Sequence, residues 1–362
     1  MRLRRGAVVA LGPTRPGAVE IVVEVDGERA PALAYPDLVG PVAVGDRVVL
    51  NTTAVALQLG TGGFHLVVAV DGGPDVDVGH EGRVMKARYT PLQVAVRTVE
   101  ETHREALEGS RGLRNTPVVC APLHSMIAPI AAGAKASADA RVVYLMTDGA
   151  ALPGSFSRLV PRLREAGLLD GWITCGQAFG GELVAATLWT GLLAARDLLD
   201  AEVIVVADGP GNLGTDTTWG VSALGSGHAL AAARALGGRP VAALRISFAD
   251  PRERHHGVSH HSLTILSKVC TVDVNVAVPV LEDAERDLVF DVLRAAKLEE
   301  MHQLVEADGR PAVAELDRRG FAVESMGRTP QDDPAFFLAA GAAGVMAGRM
   351  AASSRRYRDL KR

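Results

Sequence analysis

Cysteine is scarce. Three residues, Cys120, Cys175 and Cys270, are scattered through 362 positions and form no C-x-x-C pair. That spacing argues against a disulfide framework and against a thiolate zinc site, and it makes a reducing, cytoplasmic setting the expectation. Long apolar runs are missing as well. The longest, Ala335–Gly348, has 14 residues, short of the roughly 18 that a membrane span needs. Its Gly344-x-x-x-Gly348 spacing pairs helices in bilayers, but at this length it reads as a tightly packed soluble helix, so no membrane partner is expected. The basic start "MRLRR" leads into only about six apolar residues before Gly-Pro, too few for a secretory leader. Positive charge is not in excess: 38 Lys and Arg stand against 42 Asp and Glu, a net charge of -4. A nucleic-acid footprint over the whole surface is therefore not expected.

What is present is ordinary globular material, 48% apolar and 22% charged, in a chain long enough for two domains. Residues 1–95 are Val-rich and short-period, as in "AVEIVVEV" and "FHLVVAV", with Gly, Pro and Asp between the runs. They predict a small antiparallel β-barrel or sandwich. The polar stretch 96–116 reads as a helical linker. From Pro117 to the end, apolar strands alternate with helices. The strands fall at 117–122, 141–147, 171–175, 202–207, 240–247 and 271–278, with a late one at 321–326. Helices are expected near 125–138, 156–166, 182–199, 227–237 and 259–269, then a long amphipathic one over 283–305 and another over 334–352. This is the pattern of a doubly wound, mostly parallel α/β sheet.

Ligands of such sheets bind outside the carboxyl ends of the strands. Those ends are loaded here: His124 and Ser125 after the first strand, Asp148 after the second, Cys175 with Gln177 and Glu182 after the third. Asp208, Asn212, Thr215 and Asp216 follow the fourth, and "SFADPRERHHGVSHH" follows the fifth. The opposite ends carry plain connectors such as "SADA" and "ALGGR". The asymmetry points to a ligand site along one edge.

Within it, Gly209, Gly211 and Gly214 of "GPGNLG" fit G-x-G-x-x-G. They follow the fourth strand rather than the first, open no helix, and lack a following acidic residue at a strand end. A loop lining some ligand is the better reading, and NAD is not expected. Cys175 is a nucleophile only if it escapes burial. No G-x-S-x-G elbow supports a serine hydrolase around His124 and Ser125.

The stretch "DPRERHHGVSHHSLT" holds four of the ten histidines, His255, His256, His260 and His261, beside Arg252 and Arg254. Ser259 is placed to cap a helix beginning at His260. The helix dipole disfavours protonation of His260 and His261, so neutral imidazoles are expected. Three readings stay open: an anion clamp led by the arginines, a divalent metal site with His255, His256, His260 and Asp250 as candidate ligands, and a solvated loop. No H-E-x-x-H pattern decides for the metal.

The runs "MTDGAALPGSFSRLVPRLREAGLLDGWITCGQAFGGE", "DGPGNLGTDTTWG" and "RISFADPRERHHGVSHHSLT" resemble a bacterial family of domain-of-unknown-function proteins, number 3866, over nearly the whole chain. The resemblance implies the same two-part build and brings no assigned activity or catalytic residue. From the residues themselves the expectation is a hydrolase or group transferase for a small anionic or phosphorylated metabolite. Arg252, Arg254, Asn212, Gln177 and Asp148 would bind it with the loop glycines. His255, His260, His261, His124 and Asp208 would serve as acid, base or orienting groups. The alternative is a non-catalytic metabolite-binding regulator. Small-residue C-terminal helices also suggest a homodimer.

Overall fold

In "AVEIVVEV" alternate residues turn inward: Ile21, Val23 and Val25 are buried while Glu20 and Glu24 are not. That period of two belongs to a strand with one dry face. The computed structural model describes residues 1–59, 62–73, 75, 77, 82–215 and 217–359, so Asp216 lies outside the described residues. The chain divides into two compact units, Met1–Arg97 with Ser155–Pro161, and Thr98–Gly154 with Arg162–Arg362.

The first unit is a closed barrel of β1 (Leu3–Arg15), β2 (Ala18–Val25), β3 (Glu28–Ala34), β4 (Arg47–Asn51) and β5 (His65–Asp71) in the order β1-β2-β3-β5-β4. Strands β4, β1, β2 and β3 form a Greek key, and β5 closes it by running parallel to β3 and antiparallel to β4. Strand β1 serves two neighbours, β2 and β4, and bends through register shifts after Val8 and Leu11, as a strand shared around a small barrel must. Val8, Ile21, Val23, Val48 and Leu50 fill the interior. A hairpin of β6 (Val84–Lys86) and β7 (Val94–Val96) follows. Ser155–Pro161 joins this unit through Arg15, which donates to Ser155 O and to Glu20, while Arg158 also reaches Glu20.

The second unit is an eight-stranded, all-parallel sheet. Its strands are β8 (Pro117–Cys120), β9 (Val142–Thr147), β10 (Gly171–Thr174), β11 (Leu183–Val184), β12 (Val203–Asp208), β13 (Arg239–Ala243), β16 (Asn275–Pro279) and β17 (Gln303–Ala307). The order is β11-β10-β9-β12-β8-β13-β16-β17. Between β13 and β16, the short pair β14 (Ile246–Ser247) and β15 (Gly257–Val258) forms a separate antiparallel ribbon. Every residue of β12 is buried, as expected where helices cover both faces. Val118 and Cys120 pack with Leu192 and Leu230 of the helices Leu188–Asp197 and Gly225–Ala235. The helix Pro334–Asp359 packs on Ile127–Ala138 and on β8, β13 and β16. That C-terminal helix is long and apolar enough to cross a membrane, but 78% of its most apolar window is buried within the protein.

The structure departs from the sequence reading in several places. The amphipathic helix over 283–305 stops at Ala295, because Lys297 adopts a left-handed conformation (φ 56°). After a turn at Leu298–Met301, Gln303–Ala307 becomes the edge strand β17. Leu298, Met301 and Val305 stand three and four residues apart, a helical spacing that runs across the junction with the strand and hid it. No strand forms at 321–326; Ser325 makes only an isolated bridge with Arg328. The strand drawn over 240–247 ends at Ala243. The helix drawn over 182–199 is a short strand and a helix from Leu188. The stretch 96–116 holds two short helices, Val99–Thr102 and Arg104–Glu108, and buries Leu113 in full. The helix Arg310–Arg318 had no counterpart in the sequence reading.

Candidate functional site

The path of the chain places the site. From β8 the connections run toward β9, β10 and β11, and from β12 they run the other way, toward β13, β16 and β17. The carboxyl ends of the adjacent strands β12 and β8 are therefore the switch point at which α/β sheets open a crevice.

Asp208 ends β12 there and is buried. Its Oδ1 accepts from Thr147 Oγ1 at 2.6 Å and from Gly149 N at 3.2 Å, and its Oδ2 accepts from Asn212 Nδ2 at 3.1 Å. Burial raises its pKa, although the hydrogen bonds from Thr147, Ser222 and Gly149 oppose the shift. Glycine at 149 makes room for this carboxylate, since a Cβ there would stand 2.5 Å from both of its oxygens and force the side chain to shift. His124, buried on the turn after β8, points Nδ1 at Asp208 O (3.2 Å) and at Tyr144 Oη (3.2 Å). Tyr144 Oη itself lies 3.0 Å from Asp208 O. A carbonyl only accepts, so Nδ1 carries the proton and Nε2 the lone pair. Burial lowers the His124 pKa to about 4, so the ring is neutral at pH 7. Ser125 turns away from His124 and pairs with Ser325 at 2.8 Å.

A second cluster forms around Asp250, whose side chain is fully covered. Its Oδ2 takes Arg245 Nη2 at 2.9 Å and Arg252 Nη2 at 2.8 Å, with Arg328 Nη2 at 3.6 Å. Arg252 Nε and backbone N both donate to Oδ1. Ser247 Oγ bridges Asp250 N and Asp333 Oδ2, and Arg328 Nε also reaches Asp333. The arginine hydrogen bonds, chiefly those from Arg252, hold the Asp250 carboxyl far below the usual range. Arg245 is pushed down to about 10 by burial and stays charged at neutral pH. Arg245, Arg328 and Asp333 were not singled out in the sequence. A charge at the end of the apolar run "PVAALRIS" was a signal for Arg245. Arg328 and Asp333 arrive from a distant loop with no local signal.

The third cluster is the histidines. Ser259 caps the helix His260–Thr264 by accepting from His261 N at 3.3 Å, and its Oγ also lies 2.8 Å from His255 Nδ1. This fastens His255, on the turn Glu253–His255, to the start of the helix. The rings of His255, His260 and His261 meet with centroids 5.2, 5.0 and 4.1 Å apart. One nitrogen from each falls within 4.8 Å of the others. His255 and His261 are buried. Burial foremost, with the positive field of Arg245 and other neighbours, lowers their pKa values to about 3 and about 4. Gly214 brings the glycine loop alongside, its Cβ position lying 3.9 Å from His261 Cε1. The loop thus runs from Asp208 to the histidines, and Asn212 Nδ2 pins it to Pro122 O, Asp208 and Ser222 Oγ.

The other sequence candidates scatter around this core. His256 is exposed and packs edge-on against Phe248. Arg254 is exposed and donates a long bond, 3.4 Å, to His255 Nε2. The Arg252 guanidinium is engaged by Asp250. Asp148 Oδ2 accepts from Gln177 N at 2.7 Å, on the neighbouring β9 and β10 loops. Gly209 is buried against Met146 and Ala151, whereas Gly211 (φ +89°) is exposed. The next full helix starts only at Gly225, so none of these glycines opens one. Cys175 is buried in the core.

No curated protein matches the sequence. A family model described as protein of unknown function, DUF3866, matches residues 31–344, and the chain belongs to that family.

Proposed function

We propose that the α/β unit is an enzyme that carries out hydrolysis or group transfer on a small anionic ligand at the carboxyl edge of its sheet. The observation that carries this reading is the meeting of His255, His260 and His261 beside Arg254 and the loop Gly209–Gly214. His255 and His261, held below their ordinary pKa, are unprotonated at neutral pH and can accept a proton from water or a hydroxyl. Arg254 supplies a positive charge on the open side. Asp208 and His124 form a rigid, fully bonded base from which the loop reaches the histidines, a positioning role. Redox chemistry with a dinucleotide is not favoured, because the glycine loop opens no helix for a pyrophosphate.

The test is a thermal-shift screen with inorganic phosphate, phosphomonoesters, carboxylates, nucleotides and dinucleotides. An anion at about 100 times its Kd is expected to stabilise the protein by about 2.7 kcal/mol, and Arg254→Ala is expected to weaken that shift. With the turnover substrate in hand, His260→Ala should abolish turnover and leave binding in place. A variant that only shifts affinity would favour a regulator. Stabilisation by NAD alone would overturn the reading.

A further inference from the structure

We propose that His255, His260 and His261 form a binding site for a borderline first-row divalent cation of the Zn²⁺ class, held through imidazole nitrogens with one coordination position open. The site rests on the enzyme reading above and reassigns one role in it: imidazoles whose lone pairs hold an ion no longer accept a proton, and that task passes to the ligand at the open position. The site is tested without any substrate.

Geometry comes first. One nitrogen from each ring lies within 4.8 Å of the other two. Three ligands on tetrahedral zinc, each at about 2.0–2.1 Å, stand about 3.3 Å apart. Small rotations of three side chains on one short segment cover that difference. The second observation is an orphan: His261 Nε2 is buried and makes no hydrogen bond, in a residue 8% exposed. A buried polar atom left in that state costs about 1–3 kcal/mol, and a metal ion at the centre of the cluster would engage it.

The surroundings resemble a prepared ligand shell. Ser259 Oγ accepts from His261 N and lies against His255 Nδ1. The long bond from Arg254 Nε requires the lone pair to be on His255 Nε2, and an ion bound there would displace it. Outer partners of this kind orient ligating histidines in metal sites. The helix of His260 and His261 runs directly into a π-helical turn, Ile265–Val269, a local distortion common at functional sites. Ligand chemistry then selects the ion. Three imidazoles, with no carboxylate or thiolate in the cluster among the described residues, suit zinc, cobalt, nickel or copper and disfavour magnesium and calcium. Three histidines with an open fourth position are also the donor set of one type of catalytic zinc. The nearby charges set the open ligand: Arg245, Arg252 and Arg254 oppose a bare dication, and together with it they favour an anion or hydroxide there.

The test is a titration of the full-length, chelator-treated protein with Co²⁺, read by its ligand-field bands in the visible. Wild type and His256→Ala are expected to saturate at about one Co²⁺ per chain with identical spectra. His255→Ala and His261→Ala should lose the bands, and His261→Gln provides a second variant should alanine unfold the segment; circular dichroism checks each fold. Ser259→Ala should bind about 10–100-fold more weakly. Bands that survive in a folded His261 variant, or that vanish with His256→Ala, overturn the site. A wild type that takes up no cobalt but is stabilised by inorganic phosphate overturns the metal site and leaves the enzyme reading standing. Cobalt uptake with no response to any anion supports the metal site and removes the anionic substrate.

Discussion

Asp250→Ala is expected to destabilise the α/β unit by about 3–5 kcal/mol, the usual penalty when one partner of a buried ion pair is deleted. Arg245 is the reason: its side chain is only 5% exposed and its nearest carboxylate is Asp250. Without Asp250, a buried guanidinium stays charged beside Arg328 with no counterion. Arg252 adds little to the cost, because it is 45% exposed and water can take over its solvation. The sign of the pH dependence follows from the direction of the Asp250 shift. A carboxyl whose pKa is depressed in the fold contributes stability above its unfolded value, about 3.9, and loses it as pH falls from there toward the folded value. The gap between wild type and variant should therefore be full at neutral pH and close in acid below about pH 4. Urea unfolding followed by tryptophan fluorescence reads it, since Trp172, Trp189 and Trp219 all belong to this unit. The double variant Arg245→Met with Asp250→Leu should recover most of the loss, because an apolar pair has no desolvation to repay. A neutral-pH difference below about 1 kcal/mol would show that the arginines find other partners.

The Asp250 cluster also marks how far the sequence could be read. Asp250 was visible as a polar residue after the fifth strand, and Arg252 as a nearby charge. Their mutual engagement was not visible, because it depends on Arg245 closing from the strand side and on Arg328 and Asp333 arriving from a loop 78 to 83 residues downstream. A sequence shows which charges are near in the chain, not which are already neutralised in space. The parallel sheet was legible for a simple reason: strands such as "VIVVAD" are buried on both faces and have no polar residue until the end. β17 was not legible, because its apolar residues continue the helical period of the segment before it and only the left-handed Lys297 breaks the run. The histidines were legible as a cluster, and Ser259 as their cap. Which three of the four would meet was not, since His256 and His255 are neighbours in sequence and the turn Glu253–His255 sends them in different directions.

Gly344→Ala should cost at least about 3 kcal/mol, at or beyond the upper end of ordinary overpacking. In an open helix the same change would stabilise by up to about 1 kcal/mol, so the sign alone is diagnostic. The structural reason is the approach of two backbones. A Cβ on Gly344 would stand 2.0 Å from Ile130 O, and one on Gly133 would stand 2.6 Å from Gly341 O. Gly348 adds a contact one turn on, where a Cβ would stand 2.1 Å from the Ser137 Oγ side-chain atom and 2.9 Å from Ala134 O, but the obstacle at Gly344 is main chain. No rotamer change relieves that obstacle. The helices Ile127–Ala138 and Pro334–Asp359 would have to separate, and the second of these packs on β8, β13 and β16, strands that hold up the candidate site. Gly225→Ala is the matched control: a helical glycine (φ -53°) whose Cβ would meet nothing within 4 Å, expected to be neutral or slightly stabilising. Urea midpoints read by the same tryptophans should fall sharply for Gly344→Ala and hold or rise for Gly225→Ala. Equal midpoints would mean that the helix pair tolerates a wider spacing than its glycines imply. The Gly344-x-x-x-Gly348 spacing then has a role that needs no bilayer: it lets two core helices touch through their main chains beneath the strands that carry the histidine loop.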